Sequence, residues 1–267
     1  MSRCLEFPVT RRTWCVCLLL ALSAAAASLT VLTSNTNANL KIDFLSSDPQ
    51  IGYAVGPAGV IIQTVDGGTN WSPSSSGVTL SLFDVVVINA LTAIAVGDDG
   101  IILRTQNGGV NWADLSFGTR ELYGVSFPSE TVGFAVGFRG TLIRTADQGS
   151  TWTQQIVPSP VSNNEILWSV SFTSVQVGYA VGADGYFLST TDGGAVWALQ
   201  QIASSAATGS GYAHLKGVDF SSEQIGFVCG KDGTVMHTTD AGATWNSQMA
   251  GTGNLASIHV GSTGPSL

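Results

Sequence analysis

One segment occurs five times in this chain, and its recurrence restricts the fold more than any other feature. The clearest copy spans residues 133–152 and reads GFAVGFRGTLIRTADQGSTW. From the residue before Val-Gly, or its equivalent, to the closing tryptophan, every copy has 18 residues and no insertion. Repetition of this kind is typical of propellers and solenoids. The five copies lie at 52–71, 92–112, 133–152, 178–197 and 226–245.

The segment before each copy predicts a further strand. It alternates apolar and other residues in the pattern LxxVxF, as at 122–127, and period-two alternation favours a strand. A unit is then strand 1 (LxxVxF), strand 2 (GFAVG), strand 3 (TLIRT), a tight turn and strand 4. The closing tryptophans recur every 40 to 48 residues. We therefore predict an all-β fold, a β-propeller of four-stranded antiparallel blades with five full repeats, in preference to a solenoid of shorter period.

The number of blades and the closure of the ring stay open. After the fifth copy, residues 255–260 repeat the strand 1 pattern and predict the first strand of a sixth blade. The first copy already has its own candidate strand 1 at 40–44. The ring is therefore either a five-blade ring or incomplete and open, and an open ring would expose strand edges.

The most regular part of the repeat, Thr-x-Asp-x-Gly-x-x-Trp, predicts the tight turn before strand 4. We expect the Asp or Asn side chain to accept backbone N–H groups two residues on. Gln148 and Ala241 replace the first turn glycine, so a positive φ is expected only at the second. Each carboxyl lies in its own blade, which predicts a structural turn and no metal or catalytic site. These turn residues are Asp66, Gly68, Trp71, Asn107, Gly109, Trp112, Asp147, Gly149, Trp152, Asp192, Gly194, Trp197, Asp240, Gly242 and Trp245.

Composition argues against a nucleic-acid partner. Charged residues make up 10 % of the chain and the net charge is −8, so the surface repels phosphate backbones.

Of the four cysteines, Cys229 alone lies within the repeats. It is expected to be a small buried side chain in preference to a reactive thiol.

Residues 1–38 are predicted to form a signal peptide or an N-terminal membrane anchor, and residues 39–267 the propeller. Arg11 and Arg12 precede an uncharged run at 14–32, which polar residues follow. This order is typical of a signal peptide, with Ala27 or Ala38 as cleavage points, although the run could also span a bilayer. The repeats are therefore expected to be exported, to the periplasm or outside the cell.

The repeated element is the Asp-box, or bacterial neuraminidase repeat. The fuller unit, a glycine and Phe or Tyr followed by AVGxxGxILRTxDGGxxW, resembles the photosystem II assembly and stability factor family of chloroplasts and cyanobacteria. The resemblance covers about residues 40–260. It implies a lumenal, non-enzymatic propeller that binds a photosystem II subunit precursor, located in the thylakoid lumen of a photosynthetic organism. The family usually builds seven blades, so five copies depart from its pattern.

The same family is associated with an arginine-rich binding patch, so the resemblance implies that arginines of the repeats bind the partner. Arg104 and Arg144 occupy one repeat position in neighbouring blades, while Arg139 lies in the strand 2–3 turn and Arg120 in the connection into blade 3. With Phe138 they form the predicted partner-binding patch for a carboxylate or an acidic peptide. The alternative is that they are solvated strand residues.

Loop length varies only at 156–165 and 202–214, on the face opposite the Asp-box turns. Such variation on a regular scaffold indicates either function or tolerated insertion.

No catalytic constellation is evident in the sequence. Glycosidases need two opposed carboxylates, and no glutamate pairs by motif with a tyrosine as in sialidases. We therefore predict a non-catalytic binding protein without cofactor or metal, whose membrane contact is made only by the leader or the partner. The alternatives are a divergent Asp-box glycosidase and a secreted protein that binds carbohydrate or a surface.

Overall fold

The chain forms five four-stranded sheets, each an antiparallel meander. The structure is a computed structural model that describes residues 40–161, 165–203, 212, 214–248 and 253–260. No helix within these ranges is long and apolar enough to cross a bilayer. The predicted leader, residues 1–38, lies outside the described residues.

The sheets follow one another along the chain, and each takes its strands in sequence order. Blade 1 contains β1 (Lys41–Phe44), β2 (Gly52–Val55), β3 (Val60–Thr64) and β4 (Ser72–Ser75). Blade 2 contains β5 (Leu82–Val87), β6 (Ala93–Gly97), β7 (Ile102–Thr105) and β8 (Ala113–Asp114). Blade 3 contains β9 (Leu122–Ser126), β10 (Gly133–Gly137), β11 (Leu142–Thr145) and β12 (Thr153–Gln154). Blade 4 contains β13 (Leu167–Phe172), β14 (Gly178–Gly182), β15 (Tyr186–Thr190) and β16 (Ala198–Gln201). Blade 5 contains β17 (Leu215–Phe220), β18 (Gly226–Gly230), β19 (Val235–Thr238) and β20 (Asn246–Ser247).

Consecutive blades pack face to face, and this packing supplies the core. The innermost strands contact one another in series, β1 with β5, β5 with β9, β9 with β13 and β13 with β17. Four apolar clusters of the described residues lie between consecutive blades, one for each pair from blades 1 and 2 to blades 4 and 5. The second strand of a blade is covered on both faces, so β10 is buried throughout. The predicted β-propeller of four-stranded blades is confirmed.

A short 3-10 turn joins strands 2 and 3 in every blade. The second residue of each turn has a left-handed backbone with φ between 51° and 56°. Asparagine, aspartate and glycine adopt this conformation most easily, and aspartate stands there in three of the blades. The turns are Pro57–Gly59, Asp98–Gly100, Phe138–Gly140, Ala183–Gly185 and Lys231–Gly233.

The innermost strands of blades 2 to 5 each carry a β-bulge at their first residues, beside the end of strand 2. The pairing with strand 2 skips one residue, for example between Leu122 and Gly124. A bulge redirects the side chain of the extra residue out of the regular alternation. The skipped residues are Phe83, Tyr123, Trp168 and Lys216.

Residues 253–260 occupy the position of a sixth innermost strand. The Val260 N–H donates to Asp219 Oδ2 at 2.7 Å, as the Val87 N–H does to Asp43 Oδ2 between blades 1 and 2. The Leu255 N–H donates to the Gly230 carbonyl at 2.9 Å. The five repeats are therefore followed by a segment that takes the place of a further innermost strand, as the pattern at 255–260 predicted, but it forms no regular strand pairing. Among the described residues, no apolar cluster joins blade 5 to blade 1.

The Asp-box turns differ in detail from the expectation. Both glycine positions have positive φ, and Gln148 and Ala241 adopt 59° and 60° at the first, so the prediction for this position is wrong. In blades 2 to 5 the second position has a further reason to be glycine, the close approach of the preceding blade. A Cβ built on Gly149 would collide with Cδ1 of Ile94. The tryptophans lie one residue before strand 4, as Trp152 precedes β12.

Candidate binding site

Arg120 and Arg139 line one open cleft on the face opposite the Asp-box turns. The cleft has a volume of about 650 Å³ and is formed by three segments, 117–120, 139–141 and 154–157. These are the connection from blade 2 into blade 3, the strand 2–3 turn of blade 3, and the chain that follows β12. Both arginines are exposed. The cleft therefore presents two cations on a chain of net charge −8.

Backbone hydrogen bonds hold the turn that carries Arg139. The Phe138 N–H donates to the Glu121 carbonyl at 2.9 Å, and the Gly140 N–H donates to the Glu165 carbonyl at 2.6 Å. The Thr141 hydroxyl donates to the Phe138 carbonyl at 2.6 Å. Arg139 itself has a φ of 56°, and its guanidinium carbon lies 5.6 Å from the centre of the Phe138 ring. The turn thus fixes Arg139 and Phe138 as a pair beside the segment that contains Arg120.

Apolar side chains complete the cleft. Phe117 and Val157 line it, and Ile156 is 89 % exposed there. Sequence reasoning did not identify these three residues as part of a site. The sequence feature that pointed here was the longer connection at 156–165, which indicated the face opposite the Asp-box turns but no particular side chain. Residues 162–164 of that loop lie outside the described part of the chain.

The structure does not bring all four arginines together. Arg104 and Arg144 lie near the ends of β7 and β11 that are remote from the cleft, next to the Asp-box turns. Arg104 is buried, and its Nη2 donates to Gln148 Oε1 in the turn of blade 3 at 3.1 Å. Burial lowers the pKa of Arg104, and the nearby Asp147 carboxylate opposes that shift. Arg104 therefore connects two blades, and it is not available on the surface.

Arg144 is likewise engaged near the Asp-box face. It is half-buried, and its guanidinium carbon lies 5.8 Å from the centre of the Phe134 ring. The predicted patch thus divides into an exposed pair in the cleft and a second, less exposed pair near the Asp-box turns.

The Asp-box side chains are engaged within their own turns. The Thr145 hydroxyl donates to Asp147 Oδ1 at 2.8 Å and accepts the Gly149 N–H at 2.9 Å. Asp147 Oδ1 also accepts the Thr151 N–H at 2.9 Å. The donor to the carboxylate is thus four residues on, not two as expected. Hydrogen bonds from Thr151, above all that of its hydroxyl, lower the pKa of Asp147 to about 2.

The other four turns repeat this network. The threonine hydroxyl donates to the Asp or Asn oxygen and accepts the N–H of the second glycine in each. No group of three or more His, Cys, Asp or Glu side chains that could hold a metal occurs in the described ranges. The arrangement of these side chains closes a turn.

The remaining carboxylates of interest lie on the innermost strands. Asp43 Oδ2 accepts the Val87 N–H at 2.7 Å, and Asp84 Oδ2 accepts the Val125 N–H at 2.9 Å. Burial raises the pKa of Asp43 to about 6, and it also raises the pKa of Asp84. These carboxylates therefore hold neighbouring blades together. Cys229 is buried, as predicted, and burial raises the pKa of its thiol to about 12.

Comparison with known proteins identifies one family. The family model described as photosynthesis system II assembly factor YCF48 matches residues 23–124 and 158–253. A search of the curated proteins finds no match.

Solved structures share the architecture at low sequence identity. YCF48 from Cyanidioschyzon merolae is 18 % identical over 81 % of this chain and 87 % of its own, with a TM-score of 0.55. An ancestral GH74 enzyme is 16 % identical over 85 % of this chain, with a TM-score of 0.65. The GH74 xyloglucanase from Xanthomonas campestris is 12 % identical over 79 % of this chain, with a TM-score of 0.62. The matches cover 34 % and 38 % of the two enzymes, so the chain spans little more than a third of their length. At these identities the likeness shows the fold alone.

Proposed function

The chain belongs to the photosynthesis system II assembly factor YCF48 family, and from this premise we propose that it is a non-catalytic propeller that binds an acidic segment of a photosystem II subunit during assembly. Its place of action would be the thylakoid lumen, which the predicted export of the repeats favours. The protein would act by binding alone, through a rigid scaffold whose blades hold the site in place.

The observation that carries this proposal is the cleft shared by Arg120 and Arg139. An arginine presents several N–H donors in a planar fork that matches a carboxylate. The two side chains reach the same cleft from the connection into blade 3 and from the strand 2–3 turn of that blade, and Ile156 and Phe117 offer apolar surface beside them. A peptide that carries carboxylates and short apolar side chains fits this combination. A polyphosphate partner does not fit, because the chain as a whole is acidic. A cationic segment does not fit this cleft, because Arg120 and Arg139 would repel it.

The decisive experiment compares a charge-altered cleft with a matched control. The variant Arg120→Ala/Arg139→Asp removes both cations, and aspartate is the residue that blades 2, 4 and 5 place at the position of Arg139. The turn therefore keeps its left-handed conformation. Lys231→Ala is the control, since it removes an exposed cation from the equivalent turn of blade 5 on the same face.

We expect the double variant to capture photosystem II subunits from solubilised thylakoid membranes at least 10-fold less efficiently than the wild type, because charge-assisted hydrogen bonds contribute about 1.5–3 kcal/mol each. The Lys231→Ala protein should capture them normally, and the melting temperatures of all three proteins should agree. Equal capture by the double variant, or capture of no photosystem II subunit by the wild type, would contradict the proposal.

The glycosidase alternative is tested in the same preparation. Release of sugar from a β-glucan by the purified wild-type protein, lost on replacement of one carboxylate, would establish it.

Mass spectrometry of the N-terminus from the native source tests the export proposal. A mature chain that begins after Ala27 or Ala38 supports cleavage, and a chain that retains residues 1–38 supports an anchor.

A further inference from the structure

Three aromatic rings and one ammonium group stack in series around the propeller axis. The ring centres of Phe83 and Tyr123 are 5.3 Å apart, and those of Tyr123 and Trp168 are 4.6 Å apart. The Lys216 ammonium lies 4.3 Å from the centre of the Trp168 ring. All four side chains are half-buried. We call these four residues the axial ladder.

The ladder is built by the bulges of the innermost strands. Each of its members is the extra residue that the pairing with strand 2 skips, in blades 2, 3, 4 and 5 in turn. None of its rings belongs to the four apolar clusters between the blades. The core does not use these rings, yet four successive blades turn one side chain each toward the same place. Bulges that redirect side chains are frequent beside functional sites.

The ladder lies next to the arginine cleft. Tyr123 follows Arg120 by three residues, a distance of roughly 10 Å along an extended chain. The Glu121 carbonyl between them accepts the Phe138 N–H of the turn that carries Arg139. The bulge and the cleft wall therefore share the segment 120–123, which also holds the turn of Arg139 through a hydrogen bond, on the face opposite the Asp-box turns.

We propose that the axial ladder binds an aromatic side chain of the acidic peptide segment whose carboxylates Arg120 and Arg139 hold; this inference rests on the proposed function. The faces of Tyr123 are covered by Phe83 and Trp168, and Lys216 covers a face of Trp168. An incoming group therefore meets Tyr123 and Trp168 at their ring edges, which carry partial positive charge and pack against the π-face of another ring. Lys216 adds a full positive charge at the blade 5 end of the ladder, and together with Arg120 and Arg139 it favours an acidic segment, while Glu121 and Asp98 carry the negative charge near Tyr123.

The test uses synthetic peptides that tile the photosystem II subunits, each paired with a twin in which the aromatic residues are alanine. Affinities for the full chain are measured by isothermal titration. We expect the best acidic peptide to bind roughly 3- to 10-fold more tightly than its alanine twin, the range given by edge-to-face aromatic pairs. In Tyr123→Leu, which keeps apolar bulk without the ring, this difference should vanish.

Two further variants keep the test sharp if Tyr123→Leu folds poorly. Lys216→Gln removes the charge and leaves all three aromatic residues in place. It should lower the affinity for the peptide severalfold while the melting temperature stays constant. Trp168→Phe keeps a ring in the ladder, so affinity should be retained while the change in tryptophan fluorescence on binding is lost. Retention of that fluorescence change would count against a contact at the ladder.

The outcomes separate this inference from the proposed function. Equal affinity for both twins, with both weakened in Arg120→Ala/Arg139→Asp, overturns the ladder site and leaves the proposed function standing. Failure of every peptide to bind overturns both. Binding of a β-glucan oligosaccharide that Tyr123→Leu abolishes, with no preference between the twins, makes the ladder a sugar platform and also overturns the peptide proposal.

Discussion

At the scale of single residues, carboxyl groups of the innermost strands are buried where ionisation is unfavourable, and they accept hydrogen bonds from the next blade. Asp43 Oδ2 accepts the Val87 N–H of the next blade at 2.7 Å. Burial raises the pKa of Asp43 to about 6, the neighbouring Asp84 adds to the shift, and the hydrogen bond from Val87 opposes it. The charge of Asp43 is unfavourable in this buried place, but its carboxyl supplies an acceptor for the Val87 N–H. A buried N–H without an acceptor would cost about 1–3 kcal/mol.

Asp43→Asn should therefore stabilise the protein in a pH-dependent way. The amide oxygen can still accept the Val87 N–H, and the variant carries no charge. Because the folded-state pKa lies above the ordinary value of 3.8, the stability linked to the protonated carboxyl is fully present below pH 3.8 and is lost as pH rises through about 6. We expect the variant to gain about 1–3 kcal/mol over the wild type near neutral pH and little near pH 4.

Urea denaturation at several pH values measures this gain. Asp114→Asn is the control, since it changes an exposed aspartate in β8. A gain for Asp43→Asn that does not vary with pH would show that burial does not govern its titration.

At the scale of the element, the Asp-box turn shows two glycine positions with different requirements. The backbone of Gly108 has a φ of 67°, and a Cβ there would meet nothing closer than 3.9 Å. Gly109 has a φ of 81°, and a Cβ there would lie 3.0 Å from the Tyr53 ring and collide with the Gln63 amide oxygen of blade 1. The first position therefore needs only a left-handed backbone, while the second also needs the absence of a side chain.

The two glycines of this turn should consequently respond differently to alanine. We expect Gly108→Ala to cost about 1 kcal/mol, the cost of a left-handed alanine. Gly109→Ala should cost about 2–3 kcal/mol, because Gln63 must also move aside and the methyl group would crowd the Tyr53 ring of the preceding blade. The free energies of unfolding in urea measure both, and the first variant serves as the control for the second. Equal costs would contradict the account of the turn.

At the scale of the whole molecule, residues 253–260 lie against blade 5 through a small number of polar contacts. Asp219 Oδ2 accepts the Val260 N–H at 2.7 Å and lies 3.0 Å from His259 Nδ1. The hydrogen bond to Asp219 raises the pKa of His259, with burial in opposition. One carboxylate thus holds the end of this segment.

Asp219→Ala should release the segment without unfolding the blades. The loss of hydrogen bonds to a charged acceptor is expected to weaken local protection by about 1.5–3 kcal/mol, so the Val260 amide should exchange roughly 10- to 100-fold faster. Hydrogen exchange followed by mass spectrometry gives the rate. Glu223→Gln, an exposed change in the same blade, should leave it unaltered. Faster exchange throughout β9–β12 would indicate global destabilisation instead.

The sequence by itself determined the strands, the turns and the propeller class. These depend on local chemistry that every repeat carries, such as the period-two pattern at 122–127 and the Thr145, Asp147 and Gly149 hydrogen bonds within one turn. The family resemblance also follows from the repeat, since the fuller unit is written in consecutive residues. Even the ladder had a sequence signal, because Phe83, Tyr123 and Trp168 share one position of the strand 1 pattern.

Only the tertiary structure decided which of these residues meet. Arg139 and Arg144 are five residues apart, yet the strand between them carries one to the cleft and the other to the Asp-box end. The burial of Arg104 depends on the neighbouring blade, whose Gln148 accepts a hydrogen bond from its guanidinium group. Contacts between blades join residues about forty positions apart, and no pattern within a single repeat encodes their distance or direction. The physical reason is that each blade is specified locally, while its binding surface forms only when blades pack side by side.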